Sequence, residues 1–195
     1  REDVTVRTAA VLLLDYLGRR LSVRDIILHA LQAVPCADNR SLALLRQLAL
    51  ADLTGGQLAP LTEEEISAIF LDNLKTATPW ILKEANIRLL ERSAQRDGGL
   101  LLHIATHLTN LIKVSDRVTV RHTAGGALLN IAPLLTAGER NEVAVELTRG
   151  LEIDQQEFSK YIPGYLGRFC LWLPPAQLDE LLGELQKALC SANDQ

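Results

Sequence analysis

Several kinds of residue are scarce or absent in this sequence, and each absence narrows the possible functions. Aromatic residues make up 4% of the 195 positions, and methionine is missing altogether. The longest uninterrupted apolar run, Ala9 to Leu14, is too short for a membrane-spanning helix, which needs about 20 such residues. Three widely spaced cysteines, Cys36, Cys170 and Cys190, do not resemble a disulfide framework, so we expect a reducing, cytoplasmic location.

Neither sign of charge dominates the chain. Lys and Arg number 20 against 24 Asp and Glu, which gives a net charge of −4 at pH 7. A dedicated nucleic-acid binder concentrates basic residues on one face, so this balance argues against that class without excluding it. Because the chain starts at Arg1 and has no initiator methionine, we expect a processed chain or a domain of a longer protein.

Helical periodicity is what the sequence does contain. Leu and Ala dominate, apolar residues recur at intervals of three and four, and alternating β-branched residues are nearly absent. This pattern is typical of amphipathic helices and predicts an all-α fold. Glycine, proline and capping residues divide the chain into ten predicted helices. These lie near 2–18, 22–34, 39–53, 62–76, 79–95, 99–114, 116–136, 138–151, 155–172 and 175–190.

Some of the predicted helix starts have a local chemical reason. Thr62 and Glu65 have the spacing of a capping box, in which the hydroxyl and the carboxylate each accept a backbone N–H. Asp38, Asp116 and Asp154 stand just before predicted helices, where a short acceptor side chain can cap free backbone donors.

The sequence also repeats itself at long range. Val4-Thr5-Val6-Arg7 recurs as Val118-Thr119-Val120-Arg121, 114 residues later, which is three steps of 38. Alternate predicted helices begin near 22, 62, 99, 138 and 175. A basic series falls at similar steps, at Arg7, Arg46, Lys83, Arg121 and Lys160. One period of about 38 residues with two helices per unit is typical of an α-solenoid.

Two of these units resemble the second-helix motif of HEAT repeats, an armadillo-type helical repeat family. The motif reads Asp116-x-x-x-Val120-Arg121-x-x-Ala124-x-x-x-Leu128, with a shortened copy in Asp3-x-x-Val6-Arg7-x-x-Ala10. The resemblance implies a right-handed α-solenoid of about five helix pairs whose second helices line a concave surface. It also implies a scaffold that binds proteins or peptides, with no catalytic residues. We therefore predict a single HEAT-like repeat domain over residues 1–195.

Motifs that would indicate catalysis or a bound cofactor are missing. The sequence has no Gly-x-Ser-x-Gly and no glycine-rich phosphate loop. His103 and His107 have the spacing of two metal ligands on a helix, but a metal site needs three or four ligands and no third is suggested nearby. Gly125-Gly126 lies inside a predicted helix, where it permits close packing or leaves an open groove. We predict no enzymatic activity, no cofactor and no metal.

Aromatic residues concentrate on one face of the ninth predicted helix. Five of the eight aromatics lie there, namely Phe158, Tyr161, Tyr165, Phe169 and Trp172. One repeat earlier, the matching positions are mostly small or polar, among them His122, Gly126 and Asn130. The core of the ninth helix is expected instead from Ile162, Leu166, Cys170 and Leu173. Two interpretations stay open, since the rings could pack on the last helix or form an exposed wall for a peptide.

The predicted function is a non-catalytic scaffold that binds a protein or peptide through the concave face of its second helices. The candidate partner-binding residues are Arg121, His122, Asn130, Tyr161, Tyr165, Phe169 and Trp172. One alternative is a nucleic-acid-binding HEAT-like module of the DNA glycosylase type, whose basic groove would use the basic series. Another is a regulatory domain fused to an enzyme outside this segment. The basic series itself is expected to pair internally or to meet an acidic partner.

Overall fold

The computed structural model describes residues 4–18, 24–36, 40–56, 59–96, 98–152 and 160–193, and within these ranges the regular structure is entirely helical. The all-α prediction is therefore confirmed for the described residues. The α-helices are α1 (Val4–Gly18), α2 (Arg24–Ala33), α3 (Arg40–Thr54), α4 (Glu63–Leu74), α5 (Trp80–Arg96), α6 (Leu101–Val114), α7 (Val118–Ile131), α8 (Ala137–Arg149), α9 (Ile162–Phe169) and α10 (Pro175–Asn193). No helix in the described ranges combines the length and apolar character that crossing a bilayer requires.

Each predicted helix corresponds to one observed helix, and the differences concentrate at the ends. Apart from α9, the helices begin within two residues of the predicted starts. The seventh predicted helix ends earlier than residue 136, because a 3₁₀ turn that contains Pro133 follows α7 at Ala132–Leu134. The predicted start of the ninth helix, 155–159, lies outside the described residues. The described part, α9, gives way to a 3₁₀ turn at Cys170–Trp172.

Capping boxes start two of the helices in the described ranges. Thr62 caps α4 and Glu65 bonds back to it, as the spacing predicts. Thr136 and Glu139 form a second capping box at α8, which has the same Thr-x-x-Glu pattern but was not among the predictions. The backbone and side-chain hydrogen bonds from Thr136 lower the pKa of the Glu139 carboxyl. Both helices therefore begin where a local side chain satisfies free backbone donors.

The prediction for Asp116 is wrong. The N-cap of α7 is Arg117, whose side chain makes no capping hydrogen bond, and Asp116 stands one residue farther out. The hydroxyl of Ser115 accepts from the Arg117 backbone N–H at 3.4 Å, so this turn is organised from Ser115. Asp38 and Asp154 lie outside the described residues.

The chain folds as two compact units, Arg1–Ser93 and Ala94–Gln195. In the first unit, α1 packs on α2 and α3, and α3 packs on α2 and α4. In the second unit, α6 packs on α7 and α8, α7 packs on α9, and α8 packs on α9 and α10. Within each unit, helices therefore contact both the next helix and the next but one.

Polar side chains connect several of these next-but-one helices. Arg92 of α5 forms an ion pair with Asp52 of α3, 40 residues earlier, inside the first unit. In the second unit, Lys113 of α6 pairs with Glu146 of α8 at 2.9 Å. Also there, Asn141 donates to Glu180 of α10 at 3.3 Å. Partly exposed pairs add little stability, so their main effect is on the register between neighbouring helices.

Aliphatic side chains fill the layer between the helices of the second unit. Ile104 and Leu108 of α6 and Val120 and Leu128 of α7 are at most 1% exposed. Burial of such a side chain contributes about 1.5–3 kcal/mol. The small Ala124 beside them is completely buried and lets α6 and α7 approach closely. This packing fixes the α7 surface on which α9 rests.

Candidate functional site

A glycine notch in α7 receives a tyrosine ring from α9. A Cβ atom placed on Gly125 would lie 2.2 Å from the Tyr165 ring, so no larger residue fits there while the ring keeps its position. Gly126 has no such neighbour within 4 Å. Of the two roles expected for this glycine pair, close packing therefore applies to Gly125 and an open surface to Gly126.

His122 connects the two tyrosines that bracket the start of α9. Its Nδ1 lies 2.6 Å from the Tyr165 hydroxyl oxygen. Its ring meets the Tyr161 ring edge to face, with 4.8 Å between centroids and 70° between planes. Burial raises the pKa of Tyr165, and the positive charge of Arg168 opposes this only in part. Tyr165 is therefore a neutral hydrogen-bonding group held between Gly125 and His122.

Two cations lie over the ring of Tyr161. The Lys160 Nζ atom is 5.0 Å from the ring centroid, and the Arg121 Cζ atom is 5.7 Å from it. Such cation–π contacts contribute about 0.5–2 kcal/mol, more when the cation is removed from water. Arg121 is 3% exposed, whereas Lys160 faces solvent. The Tyr161 ring therefore contacts one buried cation, Arg121, and one solvent-exposed cation, Lys160.

These groups surround an open cleft of about 410 Å³, which we call the α7–α9 cleft. Its lining consists of His122, Lys160, Tyr161, Gly164, Tyr165 and Arg168. None of these lining residues is acidic. The cleft therefore combines two aromatic rings with two exposed cations, a combination suited to a peptide with polar or anionic side chains.

The structure brings only part of the predicted contact set to this cleft. His122, Tyr161 and Tyr165 line it directly. Trp172 is 44% exposed and Asn130 is also exposed, but neither is among the lining residues. Phe158 lies outside the described residues.

The predictions for Phe169 and Arg121 as partner-contacting residues need correction, because both side chains are buried. Phe169 is completely buried, because α9 packs against both α7 and α8 and so buries a wider face than a single neighbour would cover. It therefore joins the expected core residues Ile162, Leu166 and Leu173, which are also buried, while Cys170 is half-buried. Arg121 is buried too, and it borders the cleft only through the Tyr161 ring.

Three lining residues were missing from the predicted contact set, namely Lys160, Gly164 and Arg168, although Lys160 belongs to the basic series. Arg168 stands three positions after Tyr165 and seven after Tyr161, so helical spacing alone places all three on one face. Gly164 opens the cleft because a Cβ atom there would meet nothing within 4 Å. Sequence periodicity therefore predicts that Arg168 lies on the same face as the tyrosines. It does not predict the open space at Gly164, because that space depends on the neighbouring helix.

The basic series does not form an exposed row. Lys83 is 6% exposed and Arg121 is 3% exposed. Arg46 is half-buried and donates to the backbone carbonyl oxygen of Val34 at 2.8 Å. These three side chains are buried or half-buried within their own units. They are therefore not exposed to form the basic groove that the nucleic-acid alternative requires.

The two helical histidines differ sharply in environment. His103 is exposed, whereas His107 is 4% exposed, and burial lowers the pKa of His107 to about 3. A smaller lowering comes from the charge of His103. In the part of the chain that the structure describes, no group of three or more His, Cys, Asp or Glu side chains is placed to hold a metal ion.

A second cavity lies in the first unit, between α1, α3 and α5. It has a volume of about 450 Å³ and an apolar floor that includes Val11, Leu45 and Ala85. Tyr16 and Arg88 stand at its exposed rim. Unlike the α7–α9 cleft, this cavity has no single sign of charge, because both Glu91 and Arg88 line it.

Comparison with known proteins returned no match among protein-family models, curated proteins or solved structures. The likeness to HEAT repeats therefore stands on the sequence motif and period alone.

Proposed function

We propose that this protein is a non-catalytic interaction module that binds a peptide segment of a partner protein at the α7–α9 cleft. The observation that carries this proposal is the cleft itself, where two tyrosine rings, a histidine and two exposed cations converge on one open space. Tyrosine and arginine are among the residues that dominate binding energy in protein interfaces.

We also propose that each unit is a short stack of HEAT-like helix pairs. Support comes from the next-but-one packing of α1 with α3, α6 with α8, α7 with α9 and α8 with α10. Further support comes from the ion pair between Arg92 and Asp52, which are separated by about one repeat. In this arrangement α7 and α9 are successive second helices, and the HEAT resemblance implies that second helices form the binding surface.

Rigidity of the aromatic groups favours binding over a merely exposed aromatic patch. Tyr165 is held by the Gly125 notch and by the 2.6 Å contact with His122 Nδ1. Ordering a mobile side chain at an interface costs about 0.5–1.5 kcal/mol, and a side chain that is already fixed avoids this cost. The cleft is therefore organised before a partner arrives.

The nucleic-acid alternative has less support. Phosphate-backbone binding relies on several basic contacts along a surface, and affinity falls steeply with salt as a result. Among the described lining residues of the α7–α9 cleft, Lys160 and Arg168 are the exposed cations, while Lys83 and Arg121 of the basic series are buried. Two accessible cations suit a short segment better than a duplex.

Selection from a random peptide library on the immobilised protein tests the proposed function. Enriched peptides are measured by calorimetry against the wild type and two variants. Tyr161→Ala removes a cleft wall, and we expect it to weaken binding about tenfold or more, a loss near 1.4 kcal/mol. Leu171→Ala is the control, since Leu171 is 83% exposed and does not line the cleft.

The two variants separate the possible outcomes of this selection. Peptides that lose affinity for Tyr161→Ala and keep it for Leu171→Ala support the proposal. A library that yields no enriched peptide, or peptides that bind Tyr161→Ala as well as the wild type, would contradict it. Equal far-ultraviolet circular dichroism of the three proteins verifies that the substitutions leave the helices intact.

A further inference from the structure

We infer that the α7–α9 cleft selects an acidic peptide, with an anionic side chain seated between Lys160 and Arg168. This inference rests on the proposed function and adds the chemical class of the partner. The occupant is a short segment that carries a carboxylate or a phosphoryl group, and these are two sources of the same anionic chemistry.

The local charge of the cleft opposes that of the whole chain. The protein has a net charge of −4 at pH 7, yet the described lining residues of the cleft include Lys160 and Arg168 and no carboxylate. A partner attracted by the overall charge would be basic, whereas a partner attracted by the cleft is acidic. At ionic strengths near 0.15 M the Debye length is about 8 Å, so the nearby charges dominate the contact.

The two cations of the cleft are available to a ligand. Three other cations of the second unit are engaged in ion pairs within the described ranges, Lys113 and Arg149 with Glu146 and Lys187 with Glu184. Neither Lys160 nor Arg168 forms an ion pair with any residue in the described ranges. Within the described ranges, an arriving anion therefore has no carboxylate to displace from these two cations and none in the lining to repel it.

The hydrogen-bond donors of the cleft have a geometry that suits an anionic group. The Arg168 guanidinium is a planar fork that can hold a carboxylate or phosphoryl group with two parallel hydrogen bonds. Lys160 rests over the Tyr161 ring with its Nζ atom 5.0 Å from the centroid, which restrains a side chain that is otherwise flexible. Tyr165 can donate its hydroxyl proton to the ligand when His122 carries its own proton on Nδ1.

The size of the cleft limits the occupant. Its volume of about 410 Å³ is at the lower end of the range for small-molecule sites, about 300–1,000 Å³. This space takes one or two side chains of an extended segment and is too small for a whole helix. The aromatic walls would flank the segment while the two cations meet its charge.

Fluorescence anisotropy with four labelled peptides tests the inference. The peptides share one frame of Ser, Ala and Leu and differ at two central positions, which are Glu, phosphoserine, Gln or Lys. At low salt we expect the Glu peptide to bind about tenfold more tightly than the Gln peptide, and the Lys peptide more weakly still. Tighter binding of the phosphoserine peptide would support the inference and identify phosphoryl as the preferred source.

Charge-reversal variants connect the effect to the cleft. We expect Lys160→Glu and Arg168→Glu each to reduce affinity for the Glu peptide about tenfold. Lys75→Glu in the first unit makes the same change in net charge at another exposed lysine, and it should leave affinity within about twofold. A similar loss in all three variants would overturn the inference, because it would trace binding to total charge.

The remaining outcomes also decide the matter. Equal binding of the Glu and Gln peptides overturns the acidic preference while the proposed peptide-binding function stands. Binding of none of the four peptides overturns the inference, and the library selection then judges the proposed function separately. Tighter binding of a single-stranded or duplex oligonucleotide than of any peptide would contradict both.

Discussion

At the scale of single residues, Gly125 shows how a locally unfavourable choice serves a tertiary contact. A glycine inside a helix costs about 1 kcal/mol relative to alanine. At position 125 a glycine is needed despite this cost, because the Tyr165 ring occupies the space where a Cβ atom would lie. Gly126 has the same helical environment without the ring, and this makes the two glycines a natural pair for comparison.

Substitution of these glycines by alanine should therefore have opposite effects. We expect Gly125→Ala to destabilise the protein by about 1–3 kcal/mol, because the new Cβ atom overlaps the Tyr165 ring and forces it to move. Gly126→Ala should be neutral or stabilise by up to about 1 kcal/mol through helix propensity alone. Urea unfolding of the two variants checks this, and similar stabilities would show that Tyr165 does not rest in the notch.

His107 predicts a pH dependence of stability. Burial lowers its pKa to about 3 in the folded protein, whereas an unfolded histidine has a pKa near 6.5. Between these two values the unfolded chain binds the extra proton, so stability falls as the pH decreases from about 6.5 towards 3. The loss is on the order of 1.4 kcal/mol per pH unit within this window.

Removal of the imidazole isolates this effect from the titration of other groups. His107→Gln keeps a polar side chain at the site and cannot gain the proton. Urea unfolding at pH 7, 6 and 5 should show the wild type losing more stability than the variant at each step down. Parallel pH profiles for the two proteins would mean that His107 is solvated more than its 4% exposure indicates.

At the scale of helices, the sequence predicts elements well because their signal is local. Apolar spacing identifies α6 and α7, and the Thr62–Glu65 pair marks the start of α4, since each depends on residues within one helix. The end of α7 is less predictable, because Pro133 allows either a longer helix or the 3₁₀ turn that forms. Local hydrogen bonds decide between these two outcomes.

The candidate site is predictable only in part, for a different physical reason. Spacing places Tyr161, Tyr165 and Phe169 on one face of α9, and the period places His122 near them. Which of these side chains reach solvent depends on how many helices cover that face. Because α9 meets both α7 and α8, Phe169 is buried while Tyr165 remains at the border. The sequence of a helix does not indicate that a second neighbouring helix will bury part of its surface.

At the scale of the whole molecule, the division into two units has consequences for unfolding. In the stacks of helix pairs that we propose, stability is approximately a sum over repeats and their nearest-neighbour interfaces. Contacts group the chain into Arg1–Ser93 and Ala94–Gln195. A defect placed in the core of one unit is therefore expected to weaken that unit first.

Matched core truncations test this expectation. Leu31 in α2 and Leu108 in α6 are both completely buried, and a Leu→Ala change at such a site costs about 2–5 kcal/mol. We expect Leu31→Ala to reduce amide hydrogen-exchange protection mainly in α1–α3, and Leu108→Ala mainly in α6–α8. Uniform loss of protection along the chain in both variants would indicate a single cooperative fold.

The chain has two tryptophans, and each unit contains one of them. Trp80 is 46% exposed in the first unit and Trp172 is 44% exposed in the second. Trp80→Phe leaves tryptophan emission only from the second unit, and Trp172→Phe leaves it only from the first. Emission spectra of these two variants would report the melting of either half without any attached dye.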